Sequence, residues 1–257
     1  MTAWRYAIVF AVTFVAGAVN SIAGGGSLLS FPTLVLVGVP PITANATNTV
    51  GLWPGSLAGV LGFRRDMEGT RRWLLLLIWP SIVGGAIGAV ILLHTPPHVF
   101  SVIAPLLVLG ATLILALQDP LSRALGRLGG DPDRRSVGWA VAAIAVQFVV
   151  AVYGGFFGAG IGILMLAALG LLGLSDIHQM NGVKNTLAIC INGVAALYFA
   201  VSGAVRWPVA AVMAVAAVLG GFAGAGVAHR FGRAFVRRAV IAIGISASVA
   251  LTVRLVA

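Results

Sequence analysis

Long apolar stretches alternate with short polar ones along the chain, and they form two sets of five. The first set predicts helical segments at Tyr6–Ala23, Leu28–Val39, Ala44–Phe63, Trp73–Leu93 and Val99–Leu117; the second predicts Val137–Phe157, Ile163–Leu174, Val183–Val201, Trp207–Ala228 and Phe235–Val256. A helix needs about 20 residues to cross a hydrocarbon core roughly 30 Å thick. The second segment of each set has only twelve residues, which cover about 18 Å. We therefore expect it to be one arm of a hairpin that enters and leaves the membrane on one side.

The second set of segments repeats the first. In Asn20–Asn48 a glycine cluster interrupts an apolar run, and a short apolar segment and a polar stretch follow; Gly154–Asn185 has the same order. Further along, Gly84-Gly85-x-x-Gly88 returns as Gly220-Gly221-x-x-Gly224, and matched positions stay 134 to 137 residues apart. A duplicated membrane unit with a broken helix in each copy is typical of secondary transporters.

Composition places the chain among membrane proteins. Apolar residues make up 60% and charged residues 9% of the chain, and the mean hydropathy is +1.07, whereas about a quarter of the residues of a soluble domain are charged. The single cysteine, Cys190, excludes an intramolecular disulfide framework. A net charge of +10 would suggest nucleic acid as the partner of a soluble protein, but here membrane topology explains it and we expect no nucleic-acid partner.

The basic residues predict the orientation of the segments. Twelve of the sixteen lie in three loops: Arg64, Arg65, Arg71 and Arg72; Arg123, Arg127, Arg134 and Arg135; Arg230, Arg233, Arg237 and Arg238. The positive-inside rule requires all three loops in the cytoplasm, which is possible only if each glycine cluster forms a hairpin. Both termini then lie outside. The prediction is an all-α polytopic membrane protein of two inverted-topology repeats, residues 1–117 and 137–257, each beginning with a glycine-rich re-entrant hairpin, with a cytoplasmic linker at 118–136.

The two glycine clusters are the first candidates for a binding site. Glycine permits positive φ and close approach of the backbone, and the free N–H groups that begin the next helix favour an anion. Packing between helices is the alternative, and it is the better interpretation of the mid-span glycines such as Gly84 and Gly220. Two clusters at matched places, each followed by a half-length segment, favour binding. The candidates are Gly24, Gly25, Gly26, Gly158, Gly160 and Gly162.

Polar residues near the clusters complete the predicted site. Lys184 opens the third segment of the second half, and an intramembrane charge is a functional candidate, here as the counter-ion of an anion; the alternative is that its side chain extends to the cytoplasmic surface. The residues around it and in the matching stretch are Asn181, Asn185, Thr186, Asn45, Asn48 and Thr49. Asn20, Ser21 and Ser27 flank the first cluster and either bind oxyanions or hydrogen-bond neighbouring helices.

Signatures of an enzyme are missing from the sequence. It contains no paired intramembrane carboxylates, no His-x-x-x-His pair and no serine–histidine constellation, and all six acidic residues lie in predicted loops. We therefore predict a protein that is not an enzyme, with no catalytic residue, metal ion or cofactor.

The chain resembles the TauE/SafE family of sulfite and organosulfonate exporter-like membrane proteins. The resemblance rests on AGGGSLLSFPTLVLVGVPPITANATN (Ala23–Asn48), on its counterpart in the second half and on the plan of two related halves. It implies about eight transmembrane helices in the bacterial cytoplasmic (inner) membrane and transport of a small sulfur-containing anion. Ala159 and Ile161 interrupt the second glycine run, which leaves open whether both loops contact the substrate.

These observations together predict a secondary transporter, an exporter of a small oxyanion such as sulfite or an organosulfonate. Its site would lie near the midplane between the two glycine loops, with alternating access produced by rocking of one repeat against the other. Because the sequence has no P-loop motif, an ion gradient of protons or sodium is the expected energy source. The alternatives are an anion channel and a non-transporting membrane scaffold. The oligomeric state is not predicted.

Overall fold

The structure, a computed structural model, describes the backbone of residues 1–22, 25–62, 69–117, 137–174, 176–231 and 233–256. These ranges contain ten helices: α1 (Ala3–Ile22), α2 (Ser27–Leu36), α3 (Pro41–Gly62), α4 (Arg71–His94), α5 (Pro97–Ala116), α6 (Val137–Phe156), α7 (Ile161–Leu171), α8 (Ile177–Val201), α9 (Trp207–Phe231) and α10 (Arg233–Val256). The predicted linker Gln118–Ser136 and the loop arginines Arg64 and Arg65 lie outside the described residues.

Each predicted segment corresponds to one helix, and nine of the ten helices begin within three residues of the prediction. The exception is α8, which begins at Ile177 rather than Val183. The carboxylate of Asp176 accepts a hydrogen bond of 3.0 Å from the backbone N–H of Gln179. Such an N-cap supplies a partner to an otherwise unbonded N–H at the start of a helix, so α8 starts in the polar stretch that the hydropathy pattern left out.

Helix length and exposure agree with a protein that spans a bilayer several times. Six helices in the described part are long and apolar enough to cross a membrane: Ala3–Asn20, Arg71–His94, Pro97–Ala116, Val137–Phe156, Gln179–Val201 and Arg237–Leu255. By contrast, α2 and α7 have ten and eleven residues, or about 15 and 17 Å. Large apolar side chains on the bundle surface are exposed, such as Trp79 (68%) and Leu106 (63%), as expected for contact with lipid. The protein is an all-α polytopic membrane protein.

Both half-length helices end in the same way. Gly38 and Gly173 follow α2 and α7 with φ of +94° and +91°, a conformation that glycine adopts without strain. The residue after each glycine donates its N–H to the carbonyl five residues back, at 3.0 Å in both copies. This is the hydrogen bond of a Schellman cap, which ends a helix and turns the chain. The cap therefore ends α2 and α7 at matched points and starts the return into α3 and α8.

Helix packing repeats between the halves with a fixed register. A Cβ added at Gly85 would lie 3.0 Å from the carbonyl oxygen of Ile191, and one added at Gly221 would lie 3.8 Å from the carbonyl oxygen of Gly55. Gly85 and Gly221 are 136 residues apart, and so are Gly55 and Ile191. The contact of α4 with α8 is therefore the counterpart of the contact of α9 with α3. The same register matches Asn45 with Asn181, and Asn48 with Lys184.

Two close contacts fix the relative direction of α3 and α9. A Cβ at Gly51 would lie 2.6 Å from the Cβ of Met213, and one at Gly55 would lie 3.0 Å from the carbonyl oxygen of Ala217. Since a step of one turn along α3 is matched by a step of one turn in the same sense along α9, the two helices run parallel where they touch.

The contact between α4 and α6 has the same character. Gly84 lies against Phe148 and Ala151, and Gly88 lies one turn further along, against Gly155 and Phe156. A Cβ at Gly88 would come within 3.0 Å of the α6 backbone, so these glycines allow close approach of the two backbones. Packing is thus the role of the mid-span glycines in α4, as predicted.

The first hairpin is formed by α1 and α2. A Cβ at Gly26 would lie 2.3 Å from the carbonyl oxygen of Ala16, and one at Gly38 would lie 3.7 Å from Nη1 of Arg5. The start of α1 therefore lies beside the end of α2, and the closed end of the hairpin is at the glycine break. The two outer ends are on the same side of the molecule, as the short second segment predicted.

Candidate functional site

Backbone conformation marks both glycine breaks as special. Gly25 has φ of +92°, and Gly158 and Gly160 both have φ of +74°. Residues with a side chain rarely adopt this conformation, so these three positions require glycine. The first residues of α2 and α7, Ser27 and Ile161, follow directly. Each break therefore presents the N-terminus of a half-length helix inside the bundle, where exposed N–H groups favour an anion.

The two breaks meet at α5. A Cβ at Gly160 would lie 3.3 Å from the Cβ of Ala111, and one at Gly25 would lie 3.9 Å from Cδ2 of Leu115. Ala111 and Leu115 are one helical turn apart, which is about 6 Å along the axis. The glycine loops of the two halves are thus close to one another, as the sequence predicted. Neither Ala111 nor Leu115 carries a chemical signal that sequence reasoning would select.

Gly26 differs from its neighbour in role. It is buried with an ordinary helical φ of −54°, and it lies against Ala16 as described above. A Cβ there would also lie 3.2 Å from the Cβ of Asn20. Gly26 therefore permits close packing of α1 on α2, which was the alternative interpretation for a glycine in the cluster. Gly24 lies outside the described residues.

The polar residues at the first break form hydrogen bonds between helices. Asn20 is half-buried, and its Nδ2 donates to Oγ of Ser56 on α3 at 3.4 Å. Ser27 is half-buried at the first turn of α2. Of Ser21 only the backbone, in α1, is described. The observed bond of Asn20 matches the second of its two predicted roles, hydrogen bonding between helices.

Two asparagines of α3 are almost fully buried. Asn45 is 1% exposed and Asn48 is 2% exposed. Nδ2 of Asn45 donates to the carbonyl oxygen of Phe156 at 2.8 Å, which joins the first half to the last residue before the second break. Oδ1 of Asn48 lies 2.5 Å from Oγ of Ser30, which is also 3.2 Å from the carbonyl oxygen of Gly26. The asparagines thus lie beside both breaks; Ser30 was not predicted, although it lies one turn after Ser27 on the same helix face.

Lys184 lies inside the bundle, beside the second break. It is the eighth residue of α8, about 10 Å from the start of the helix, so the prediction that it opens this segment was wrong because the helix begins earlier. A Cβ at Gly162, the second residue of α7, would lie 3.4 Å from Cδ and 4.0 Å from Nζ of the lysine. Nζ donates to Oδ1 of Asn181 at 3.0 Å. The side chain is therefore directed along α7 and held by an amide oxygen. Its counterpart in the first half is Asn48, not Ala46 or Thr47.

The remaining predicted residues fall into two groups. Thr49 and Thr186 donate their hydroxyl protons to the carbonyls of Asn45 and Gly182, at 3.0 and 2.9 Å. Their protons are therefore used within their own helices, and they face a ligand only as acceptors. Asn185 is half-buried on α8, next to Lys184.

Two further residues steady or face the second break. Oη of Tyr153 donates to the carbonyl oxygen of Ala159 at 2.6 Å, so the last turn of α6 holds the loop. Asn192 faces the loop as well, because a Cβ at Gly158 would lie 3.5 Å from its Oδ1. Tyr153 was not predicted; the signal for it is a single tyrosine one residue before the second glycine cluster.

Electrostatics at the breaks favours an anion. The described helices contain no acidic residue, and Lys184 is the basic residue in them that lies furthest from a helix end. Among the described residues no group of three or more His, Cys, Asp or Glu is placed to hold a metal ion. A fixed ammonium, amide groups and two helix N-termini make a site suited to a small oxyanion rather than to a cationic substrate.

Comparison with known proteins agrees with this site. The family described as "Sulfite exporter TauE/SafE" matches residues 9–251. A "Probable membrane transporter protein" of Haemophilus influenzae is 30% identical over 91% of this chain and 89% of its own. "Probable membrane transporter protein ORF9" of a Sinorhizobium species is 28% identical, over 98% and 92% of the two chains. "Probable membrane transporter protein YfcA" of Escherichia coli K12 is 29% identical over 92% and 85%. No solved structure matches the chain.

Proposed function

The chain belongs to the TauE/SafE sulfite exporter family of membrane transporters, and from this premise we propose that it is a secondary transporter that exports a small sulfur-containing oxyanion, such as sulfite or an organosulfonate, across the bacterial inner membrane. One observation carries the choice of an anion. Lys184 lies against Gly162 beside the second break, while the described helices contain no acidic residue. An anion that enters a low-dielectric site must be compensated, and a fixed ammonium compensates it more strongly than neutral donors.

The anion would bind where the two breaks approach α5. In this proposal the N–H groups at the starts of α2 and α7 and the ammonium of Lys184 share the negative charge. Asn48 and Asn185 would donate from the two matching helices α3 and α8. Gly25 and Gly160 keep the backbone exposed, because a side chain at either position would fill the space next to α5.

Parallel packing supports two repeats of opposite orientation. α9 follows α8 after a short turn at residues 202–206, so these neighbours run in opposite directions. Since α3 is parallel to α9, α3 is antiparallel to α8, its counterpart in the second half. Nε1 of Trp53 donates to the carbonyl oxygen of Ile189 at 3.1 Å, and these two positions are themselves 136 residues apart. Contact between matched positions is expected at a pseudo-two-fold axis in the membrane plane, which relates inverted repeats.

Inverted repeats explain how the site would be exposed to each side in turn. The two hairpins enter from opposite sides, so a small rotation of one repeat against the other opens one hairpin while it closes the other. The proposed topology has both termini outside and the linker Gln118–Ser136 inside.

Counterflow in proteoliposomes tests this function. Vesicles that contain purified protein and millimolar unlabelled sulfite would be diluted into trace ³⁵S-sulfite, under conditions that prevent oxidation. A transporter accumulates label transiently, and the uptake saturates with external sulfite and is competed by a small alkanesulfonate. A channel would instead give voltage-driven current without exchange, and a scaffold would give neither. Carboxylates and sulfate in the competition series measure which oxyanion is preferred.

A further inference from the structure

The carbonyl oxygen of the Asn45 side chain has no hydrogen-bond partner within the protein, although the residue is 1% exposed. Its orientation is fixed, because Nδ2 must face the carbonyl oxygen of Phe156, to which it donates at 2.8 Å; an inverted amide would place two acceptors against each other. A buried acceptor without a donor costs about 1–3 kcal/mol. Such an atom indicates that something outside the polypeptide supplies the positive partner.

The second half of the molecule indicates what this partner is. In the register of 136 residues, Asn45 corresponds to Asn181. Oδ1 of Asn181 accepts a hydrogen bond from the ammonium of Lys184 at 3.0 Å. The first half has the neutral Asn48 in place of Lys184. The same amide oxygen thus has a cation built into the chain in one repeat and lacks one in the other.

From this juxtaposition we infer that Asn45 forms part of a binding site for a small monovalent cation, Na⁺ in the first instance. The surrounding groups supply neutral oxygens: Oδ1 of Asn45, the carbonyl of Phe156 at the end of α6, and the side chains of Asn48 and Ser30 close by on α3 and α2. Divalent cations favour carboxylate ligands, and the described helices contain none. An asparagine does not titrate in the physiological range, so a proton is not the ion that this group would bind.

The position of the site fits a role in coupling. Carbonyl groups at the end of a half-helix coordinate Na⁺ in broken-helix transporters, and N–H groups at the start of the next bind the anion. The second break has both ends: α6 ends at Phe156, and α7 begins at Ile161. A cation at Asn45 would bring positive charge to the same break as Lys184. This role rests on the proposed transport function, whereas binding of the cation can be measured without transport.

Thermal unfolding of the purified full-length protein in detergent tests the site. Choline chloride would be replaced by NaCl or KCl at constant ionic strength, and the midpoint followed by tryptophan fluorescence. We expect the wild-type midpoint to rise with NaCl in a saturable way, by about 3 °C or more. In Asn45→Leu the rise should disappear. Gln147→Leu is the matched control, since Gln147 is another buried amide whose oxygen has no partner in the protein, but it donates to Ser81 in the α4–α6 contact and should keep the wild-type rise.

A second variant keeps the test decisive if Asn45→Leu does not fold. Asn45→Asp retains the oxygen and adds negative charge, and should lower the NaCl concentration of half-saturation at least tenfold. Absence of a Na⁺-specific rise in the wild type, an undiminished rise in Asn45→Leu, or an unchanged half-saturation in Asn45→Asp would each overturn the cation site. Sulfite counterflow in the same preparation separates that result from a failure of the proposed function.

Discussion

Lys184 and Gly162 lie side by side where α8 passes the start of α7, with Cδ of the lysine 3.4 Å from the place where a glycine Cβ would be. The absence of a side chain at Gly162 allows the lysine to follow α7 towards the break instead of extending to the membrane surface. This contact distinguishes the two interpretations of Lys184 that the sequence left open. It also makes the pseudo-symmetric site unequal, because the matched position in the first half is the neutral Asn48.

Positive φ at the glycine breaks predicts a difference between two kinds of glycine substitution. Gly160→Ala would place a Cβ 3.3 Å from Ala111 at φ of +74°, a strain of order 1–3 kcal/mol. Gly110→Ala is the matched control on the adjacent helix, because no atom lies within 4 Å of the added Cβ. We expect Gly160→Ala to lose most sulfite counterflow and Gly110→Ala to keep it. In Gly25→Val and Gly160→Val transport should be abolished while much of the protein still folds in detergent.

The outcome for folding decides between binding and packing at these positions. If Gly25→Val and Gly160→Val were recovered only as aggregate on size-exclusion chromatography, packing would be the better account of both breaks. Wild-type transport by the two variants would place the anion elsewhere.

Close backbone contact at Gly220 predicts a large effect on stability next to a position with none. A Cβ at Gly220 would lie 1.9 Å from the carbonyl oxygen of Phe14 on α1, whereas the nearest atom to a Cβ at Gly221 is 3.8 Å away. Gly220→Ala must separate two helices, and overpacking of this kind costs about 1–3 kcal/mol. Gly221→Ala should be neutral or stabilising by up to about 1 kcal/mol, because alanine favours the helix. Thermal midpoints of the two variants in detergent check this, and equal midpoints would contradict the observed packing of α1 on α9.

Orientation in the membrane is tested by two arginines at opposite ends of the bundle. Arg238 and Arg206 are both exposed, and the positive-inside rule puts Arg238 in the cytoplasm. Arg206 lies between α8 and α9, at the other end. In a Cys190→Ser background, Arg238→Cys should resist an impermeant maleimide in intact cells, and Arg206→Cys should react. The reverse pattern, or equal labelling, would be incompatible with inverted repeats that have both termini outside.

The helices and the breaks follow from the sequence because each depends on local pattern: apolar runs, glycine clusters and glycine caps. The start of α8 did not follow, since polar residues conceal a helix from a hydropathy pattern and the cap at Asp176 is the relevant signal. That error moved Lys184 from the interior to the end of a helix in the prediction.

Contacts between the halves depend on docking and lie beyond local pattern. The bond of Asn45 to the carbonyl of Phe156 spans 111 residues, and nothing near either residue indicates it. Ser30 and Ala111 are invisible for the same reason: their place at the breaks is set by how α2 and α5 pack.

Sulfite affinity of Lys184 variants in reconstituted protein tests the central claim most directly. Lys184→Gln keeps a polar side chain of similar length but removes the charge, and should weaken binding tenfold or more, or about 1.4 kcal/mol. Lys184→Arg should retain part of the affinity because the charge remains while its geometry changes. Arg238→Gln, which removes the same charge from a cytoplasmic surface, should bind as the wild type does. Unchanged affinity in Lys184→Gln would contradict the account, and the anion site would then rest on the glycine breaks alone.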